Sequence, residues 1–229
     1  MNEIKVIGFD ADDTLWVNEP YFRETEIKFC NLLKNGMSHE EVTRELFDVE
    51  IGNIPLYGYG IKGFILSMIE TSLRITDGKI SSEKIQAIIA LGKEQMNKPI
   101  ELLDGVVEVL ENLFGKYRLI VATKGDLLDQ ERKLKKSGLM KYFHHIEVMS
   151  DKKVEDYEKL IKHLDIEPNQ FLMVGNSLKS DILPVLKLGG NSVHVPYHTT
   201  WVHEMVDKKE LENVRFHKIE NIRELLEFV

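Results

Sequence analysis

Apolar positions along the chain fall into two kinds of run. Five are short and rich in β-branched or aliphatic residues: IKVIGF (4–9), YRLIVAT (117–123), HIEVM (145–149), FLMVG (171–175) and SVHVP (192–196). Runs of this length suit strands buried on both faces of a parallel sheet. Between the last four the spacing shifts to the helical period. The stretch 128–136 ends near Gly138, and 154–164 carries Tyr157, Leu160, Ile161 and Leu164 on one face. The stretch 181–188 stops at Gly189 and Gly190, and a further helix is expected over 105–114. Alternating strands and helices with glycine stops predict an α/β fold, a doubly wound parallel sheet. A weaker run, VRFHKI (214–219), predicts an edge strand before a C-terminal helix.

Residues 18–98 break this rhythm and read as helical throughout. Pro20 suits a first helical turn ahead of 21–33. Ser38 and Glu41 have capping-box spacing before 42–47. Ile61, Phe64, Ile65, Met68 and Ile69 recur on one helical face. Ser81 or Ser82 can cap a helix that reaches Met96, and Pro99 ends it. The expected organisation is a core of residues 1–17 and 99–229, with a helical insertion at 18–98.

Composition narrows the function classes. The 229 residues are 43% hydrophobic and 30% charged, which describes a globular chain rather than a disordered one. The net charge of -8, with no dense Lys/Arg run, argues against nucleic acid as a partner. No segment approaches membrane-spanning length, and the N-terminus lacks a signal-peptide pattern, so no membrane partner is expected. A single cysteine, Cys30, excludes an intrachain disulfide and fits a reducing, cytoplasmic home.

The candidate chemistry lies where the strands end, which is where open parallel sheets bind ligands. After the first strand come Asp10, Ala11, Asp12, Asp13 and Thr14. Thr123, Lys124 and Gly125 follow the second; Ser150, Asp151, Lys152 and Lys153 follow the third. Gly175, Asn176, Ser177 and then Asp181 follow the fourth. Crowded carboxylates call for a divalent cation. Lysine, hydroxyl and backbone N–H groups suit a phosphate. Both together point to phosphoryl chemistry, in which positioning and charge neutralisation do most of the work.

The ordered set DADDT, VATKG, SDK and GNSLKSD resembles the haloacid dehalogenase-like (HAD) hydrolase superfamily, and the insertion resembles that family's helical C1 cap. The resemblance spans essentially the whole chain and implies a Rossmann-like core. It implies that Asp10 is a nucleophile forming an aspartyl-phosphate and that Asp12 is the general acid/base. Thr123 would bind the phosphoryl group, with Ala11, Lys124 and Gly125 as further phosphate-binding candidates. Lys152 would neutralise charge; it is favoured over Lys153 because SDK aligns with the family's SGK-like turn. Asp10, Asp12 (through its carbonyl), Asn176 and Asp181 would hold Mg²⁺. The implied activity is a Mg²⁺-dependent phosphatase acting on a small phosphorylated metabolite.

Two positions depart from the family pattern. Asn176 stands where an aspartate is usual, which removes one negative charge from the metal site. Lys124 follows Thr123 where asparagine is common; it can add charge at the phosphate or point to solvent. The alternatives are a phosphomutase, a 2-haloacid dehalogenase, and a non-catalytic or receiver-like phospho-ligand protein. Asp12 speaks against the dehalogenase, whose family pattern lacks an acid there. Asp13 reads as a turn or capping acid. His194, His198 and His203 form a loop read as structural rather than as a zinc site. Tyr57, Tyr59 and Lys62 suit either a substrate-reading loop or a simple turn.

Overall fold

The computed structural model describes residues 3–33, 36–212 and 214–229. Strand β1 (Val6–Phe9) is followed by four helices, α1 (Glu19–Leu33), α2 (His39–Tyr57), α3 (Ile61–Ile75) and α4 (Ser82–Asn97). The chain continues through α5 (Val106–Leu113), β2 (Arg118–Lys124), α6 (Leu127–Ser137), β3 (His145–Met149) and α7 (Val154–His163). It ends with β4 (Phe171–Gly175), α8 (Leu183–Lys187), β5 (Asn191–His194) and β6 (His217–Lys218). The strands form one parallel sheet in the order β3-β2-β1-β4-β5-β6.

Contacts divide the chain into two compact units. One holds the described residues through Glu19, with Ile100–Lys124 and Gln130–Val229; the other holds Pro20–Pro99 with Gly125–Asp129. In the first unit the pleat of the sheet sorts alternate side chains onto two faces. Ile7, Phe9, Leu119, Val121, Leu172 and Val174 pack with Val109 and Leu110 of α5. Val6, Ile120, Ala122, Phe171 and Met173 pack with Tyr157, Leu160 and Ile161 of α7. Gly8 is required between them: a Cβ there would meet the Phe171 ring at 2.8 Å.

The helical unit has its own core of Phe29, Leu33, Val42, Leu46, Phe64, Met68 and Ile88. Ser38 and Glu41 make the reciprocal capping box at the start of α2. That helix runs well beyond residue 47, carrying Pro55 in its last turn. Lys62 pairs with Asp126 at 2.9 Å, and the Tyr57 hydroxyl donates to Glu70 at 3.0 Å.

Three sequence expectations are corrected. The helix expected over 181–188 begins earlier, as a wide π-helical turn at Leu178–Ile182, before α8. The edge strand expected over 214–219 shrinks to His217–Lys218, which pair with Val193 and His194 at the end of β5. The C-terminal helix is a 3-10 segment, Ile222–Glu227.

Candidate active site

The site grows from the turn after β1. The Asp10 N–H donates to the Val174 carbonyl at 2.9 Å, which extends the β1–β4 pairing into the turn. The Ala11 carbonyl then accepts from the N–H groups of Thr14 and Leu15, so the chain reverses at once. Asp13 stands at this reversal with φ 62°, a region that aspartate tolerates better than most residues. Its carboxylate accepts from the N–H groups of Asn18 (2.8 Å) and Glu19 (2.9 Å), at the start of α1. Asp13 therefore has the turn-and-cap place expected of it. Burial pushes its carboxyl up to about 8 against the pull of those N–H groups.

Asp10 faces Lys152 across the sheet edge. Lys152 Nζ donates to Asp10 Oδ1 at 2.5 Å and to Asp181 Oδ1 at 2.7 Å. Lys152 is 3% exposed, whereas the Lys153 side chain is 72% exposed and pairs with Asp151. The structure thus puts Lys152, not Lys153, against the acids. Burial lowers the Lys152 pKa, but the charges and hydrogen bonds of Asp10 and Asp181 outweigh it and leave it raised. Burial raises Asp10 to about 7, opposed by Lys152 and reinforced by the charge of Asp181.

Asp181 is brought here by the π-turn. Its Oδ2 accepts from the Ser177 N–H at 2.9 Å and lies over the α-carbon of Gly175, where any Cβ would meet it at 2.3 Å. Asn176 joins the same edge. The Thr14 hydroxyl lies 3.0 Å from Asp10 Oδ2 and 3.4 Å from Asn176 Oδ1, and it accepts from the Asn176 N–H at 3.1 Å. His194 Nε2 lies 2.9 Å from the Asn176 carbonyl. Burial lowers the His194 pKa, favouring the neutral ring.

Asp12 turns elsewhere. Its carboxylate accepts from Trp16 Nε1 (2.7 Å), Lys133 Nζ (2.8 Å) and Gln130 Nε2 (2.8 Å). The Thr123 hydroxyl accepts from the same Gln130 nitrogen at 3.2 Å. Lys124 Nζ does not point into bulk solvent. It donates to Glu204 at 2.5 Å and to the Ser180 hydroxyl at 3.0 Å. Glu204 also accepts from the hydroxyls of Ser177 and Ser180, each at 2.5 Å. Burial raises Glu204, but Lys124 and these hydrogen bonds overcome it and hold the carboxyl at about 2. Gly125, with φ 114°, follows Lys124 and groups with the helical unit.

Sequence reasoning gave no role to Thr14, Trp16, Gln130, Lys133 or Glu204. Gln130 and Lys133 had a faint signal, sharing a face of the expected helix at 128–136. Glu204 had none, since it ends a single short 3-10 turn, Val202–Glu204, too brief to show a period. Among the described residues no group of three or more His, Cys, Asp or Glu side chains is arranged to hold a metal ion.

Over residues 4–189 the sequence matches haloacid dehalogenase-like hydrolases. The chain belongs to the haloacid dehalogenase-like hydrolase family. It is 37% identical to a HAD-like family hydrolase from Xanthomonas campestris, with a TM-score of 0.81, over 90% of this chain and 86% of that one. It is 23% identical to the N-acylneuraminate-9-phosphatase of Mus musculus, over 89% of this chain and 84% of that protein. It is 24% identical to a glyceraldehyde 3-phosphate phosphatase of Methanothermobacter thermautotrophicus, over 97% of this chain and all of that protein. This HAD hydrolase is thus an enzyme with a doubly wound parallel core. Among its described residues no helix is long and apolar enough to cross a membrane.

Proposed function

We propose that this hydrolase is a Mg²⁺-dependent phosphatase that cleaves a small phosphorylated metabolite through an aspartyl-phosphate on Asp10. One observation carries the reading: a buried ammonium, Lys152, lies between two buried carboxylates, Asp10 and Asp181, while the acid two positions on, Asp12, is held by different donors. Asp10 attacks phosphorus as the bond to the leaving alcohol oxygen breaks. Asp12 gives that oxygen its proton. It then takes a proton from the water that attacks the aspartyl-phosphate, which releases phosphate and restores Asp10. Thr123 donates its hydroxyl to the phosphoryl oxygens, and Ala11 and Gly125 offer backbone N–H groups. Lys124 contributes a charge already balanced by Glu204.

The donors present suit Mg²⁺. All are hard oxygens, and the Thr14 hydroxyl lies 3.0 Å from Asp10 Oδ2 and 3.4 Å from Asn176 Oδ1. Lys152 offsets one of two buried carboxylates, which leaves a negative charge for a cation to balance. Mg²⁺ binds through one or two carboxylates and completes its shell with water and substrate phosphate. Asp10, Asp181, Asn176 and the Asp12 carbonyl would hold it. When bound, it would polarise the phosphoryl oxygens and offset their charge. The helical unit would serve as the cap that selects substrate.

Two phosphatases with different small substrates match the chain at similar identity, which supports the reaction more than any one substrate. The test is phosphate release from a panel of sugar, triose and acid phosphates, with Mg²⁺ or with EDTA. Wild type should release phosphate only with the metal, and Asp10→Asn should not release it. Chloride release from 2-chloropropionate without phosphatase activity would replace this reading with the dehalogenase.

A further inference from the structure

Going deeper into the same site, and resting on the acid/base role of Asp12, we propose that Gln130 is a positioning residue for the Asp12 carboxyl, acting together with Lys133. Three donors hold that carboxyl. Trp16 Nε1 and Lys133 Nζ donate to Oδ1 at 2.7 and 2.8 Å, and Gln130 Nε2 donates to Oδ2 at 2.8 Å. The same Gln130 nitrogen lies 2.7 Å from the Lys124 carbonyl and 3.2 Å from the Thr123 hydroxyl. One buried amide therefore touches the proton-transfer acid and both residues that end β2.

The amide orientation follows from its neighbours. Its N–H groups face an Asp12 oxygen and the Lys124 carbonyl, and the carbonyl can only accept. Reversing the amide would set Oε1 against both. Gln130 is 2% exposed, and its Oε1 is buried without a partner. An apolar side chain would fill this volume without the desolvation cost of that oxygen. The amide is there for what its nitrogen holds.

The other two donors set the frame. Trp16 is fully buried, so its indole N–H is a fixed point. Lys133 lies one turn along α6 from Gln130, on the same face, and also donates to Asn18 Oδ1 at 2.9 Å. The carboxyl is thus located from both the β1 turn and α6. Because Gln130 also touches Thr123, the proton of Asp12 keeps a fixed relation to the group that receives the phosphoryl oxygens. A misplaced proton donor costs most when the leaving oxygen is basic and least when it departs unaided.

The test compares kcat and KM on phenyl phosphate and 4-nitrophenyl phosphate in Mg²⁺ for wild type, Q130L, Q130M, K133M and D12A. The two probes are alike in size and differ in how badly the leaving oxygen needs a proton. We expect Q130L to lower kcat/KM, which reports the first phosphoryl transfer and not hydrolysis of the aspartyl-phosphate common to both probes, at least about tenfold more on phenyl phosphate than on 4-nitrophenyl phosphate, within the general-acid range of about 10² to 10⁴. K133M should show the same bias, and D12A the same bias at larger amplitude. If Q130L loses its fold by circular dichroism, Q130M, which keeps an unbranched side chain of similar length, carries the comparison. Equal losses of kcat/KM on both probes, or none, in a folded Gln130 variant would overturn the positioning role. Equal losses in D12A would instead remove Asp12 as the acid, so the two failures read differently.

Discussion

The carboxylate of Asp181 lies directly over the α-carbon of Gly175, where a methyl group would meet Oδ2 at 2.3 Å. That contact lets Asp181 reach Lys152 and the Ser177 N–H together. Gly175→Ala should push the carboxylate away and overpack a buried edge. The expected cost is about 1–3 kcal/mol of stability, with a loss of phosphatase activity larger than that destabilisation explains. Urea unfolding beside kcat would show it; an alanine variant with wild-type activity would refute the packing argument.

Lys152 and Lys153 should behave as opposites. Lys152→Met leaves two buried carboxylates, Asp10 and Asp181, facing each other unpaired. Breaking a buried pair by removing one partner costs about 3–5 kcal/mol, and activity should vanish. Lys153→Met removes an exposed ammonium and should change stability by no more than about 0.5 kcal/mol. Thermal melts of both variants check this.

Asp13 should matter through its acceptors. Asp13→Ala removes the cap on the Asn18 and Glu19 N–H groups and puts alanine at φ 62°. A loss of about 1–2 kcal/mol is expected. Asp13→Asn keeps an acceptor oxygen and tolerates that backbone, so it should lose less. Equal losses in denaturant titrations would remove the cap from the explanation.

Glu204 should give an acid-sensitive term. Its carboxyl is held at about 2, below the ordinary value of 4.5. The folded form binds that proton less readily than the unfolded chain. The stabilisation is therefore full above pH about 4.5 and is lost as pH falls toward about 2. Its size is on the order of 3 kcal/mol. Glu204→Gln should flatten the stability profile in that window while leaving it nearly parallel to wild type at higher pH, as read by chemical unfolding at a series of pH values.

Asn176→Asp should tighten binding at the proposed Mg²⁺ site. The change restores a carboxylate beside the Thr14 hydroxyl and Asp10, and added ligand charge favours a hard divalent cation. Calorimetric titration with Mg²⁺ should show a lower Kd than wild type. An unchanged Kd would place residue 176 outside the metal's ligands.

Most of the strands and helices, and the sheet edge where the candidate residues gather, were legible in the sequence. Residues 145–149 and 171–175 are strands with the bounds their apolar runs mark. Ser38 and Glu41 cap α2 as their spacing implies. These features follow from local forces: pleat, helical period and capping act within a few residues. Tertiary structure decided which side chains meet. The choice of Lys152 over Lys153 depends on Asp10, 142 residues away. The direction of Asp12 depends on Gln130 and Lys133, 118 and 121 residues away. The neutralisation of Lys124 depends on Glu204, in a single 3-10 turn with no periodic signal. Even Asp181, local to its motif, reaches the site only because the chain winds one wide turn at Leu178–Ile182. Hydrophobic spacing records which face is buried. It does not record which buried charge finds which partner, because that is settled by desolvation and Coulomb energy once the strands are side by side.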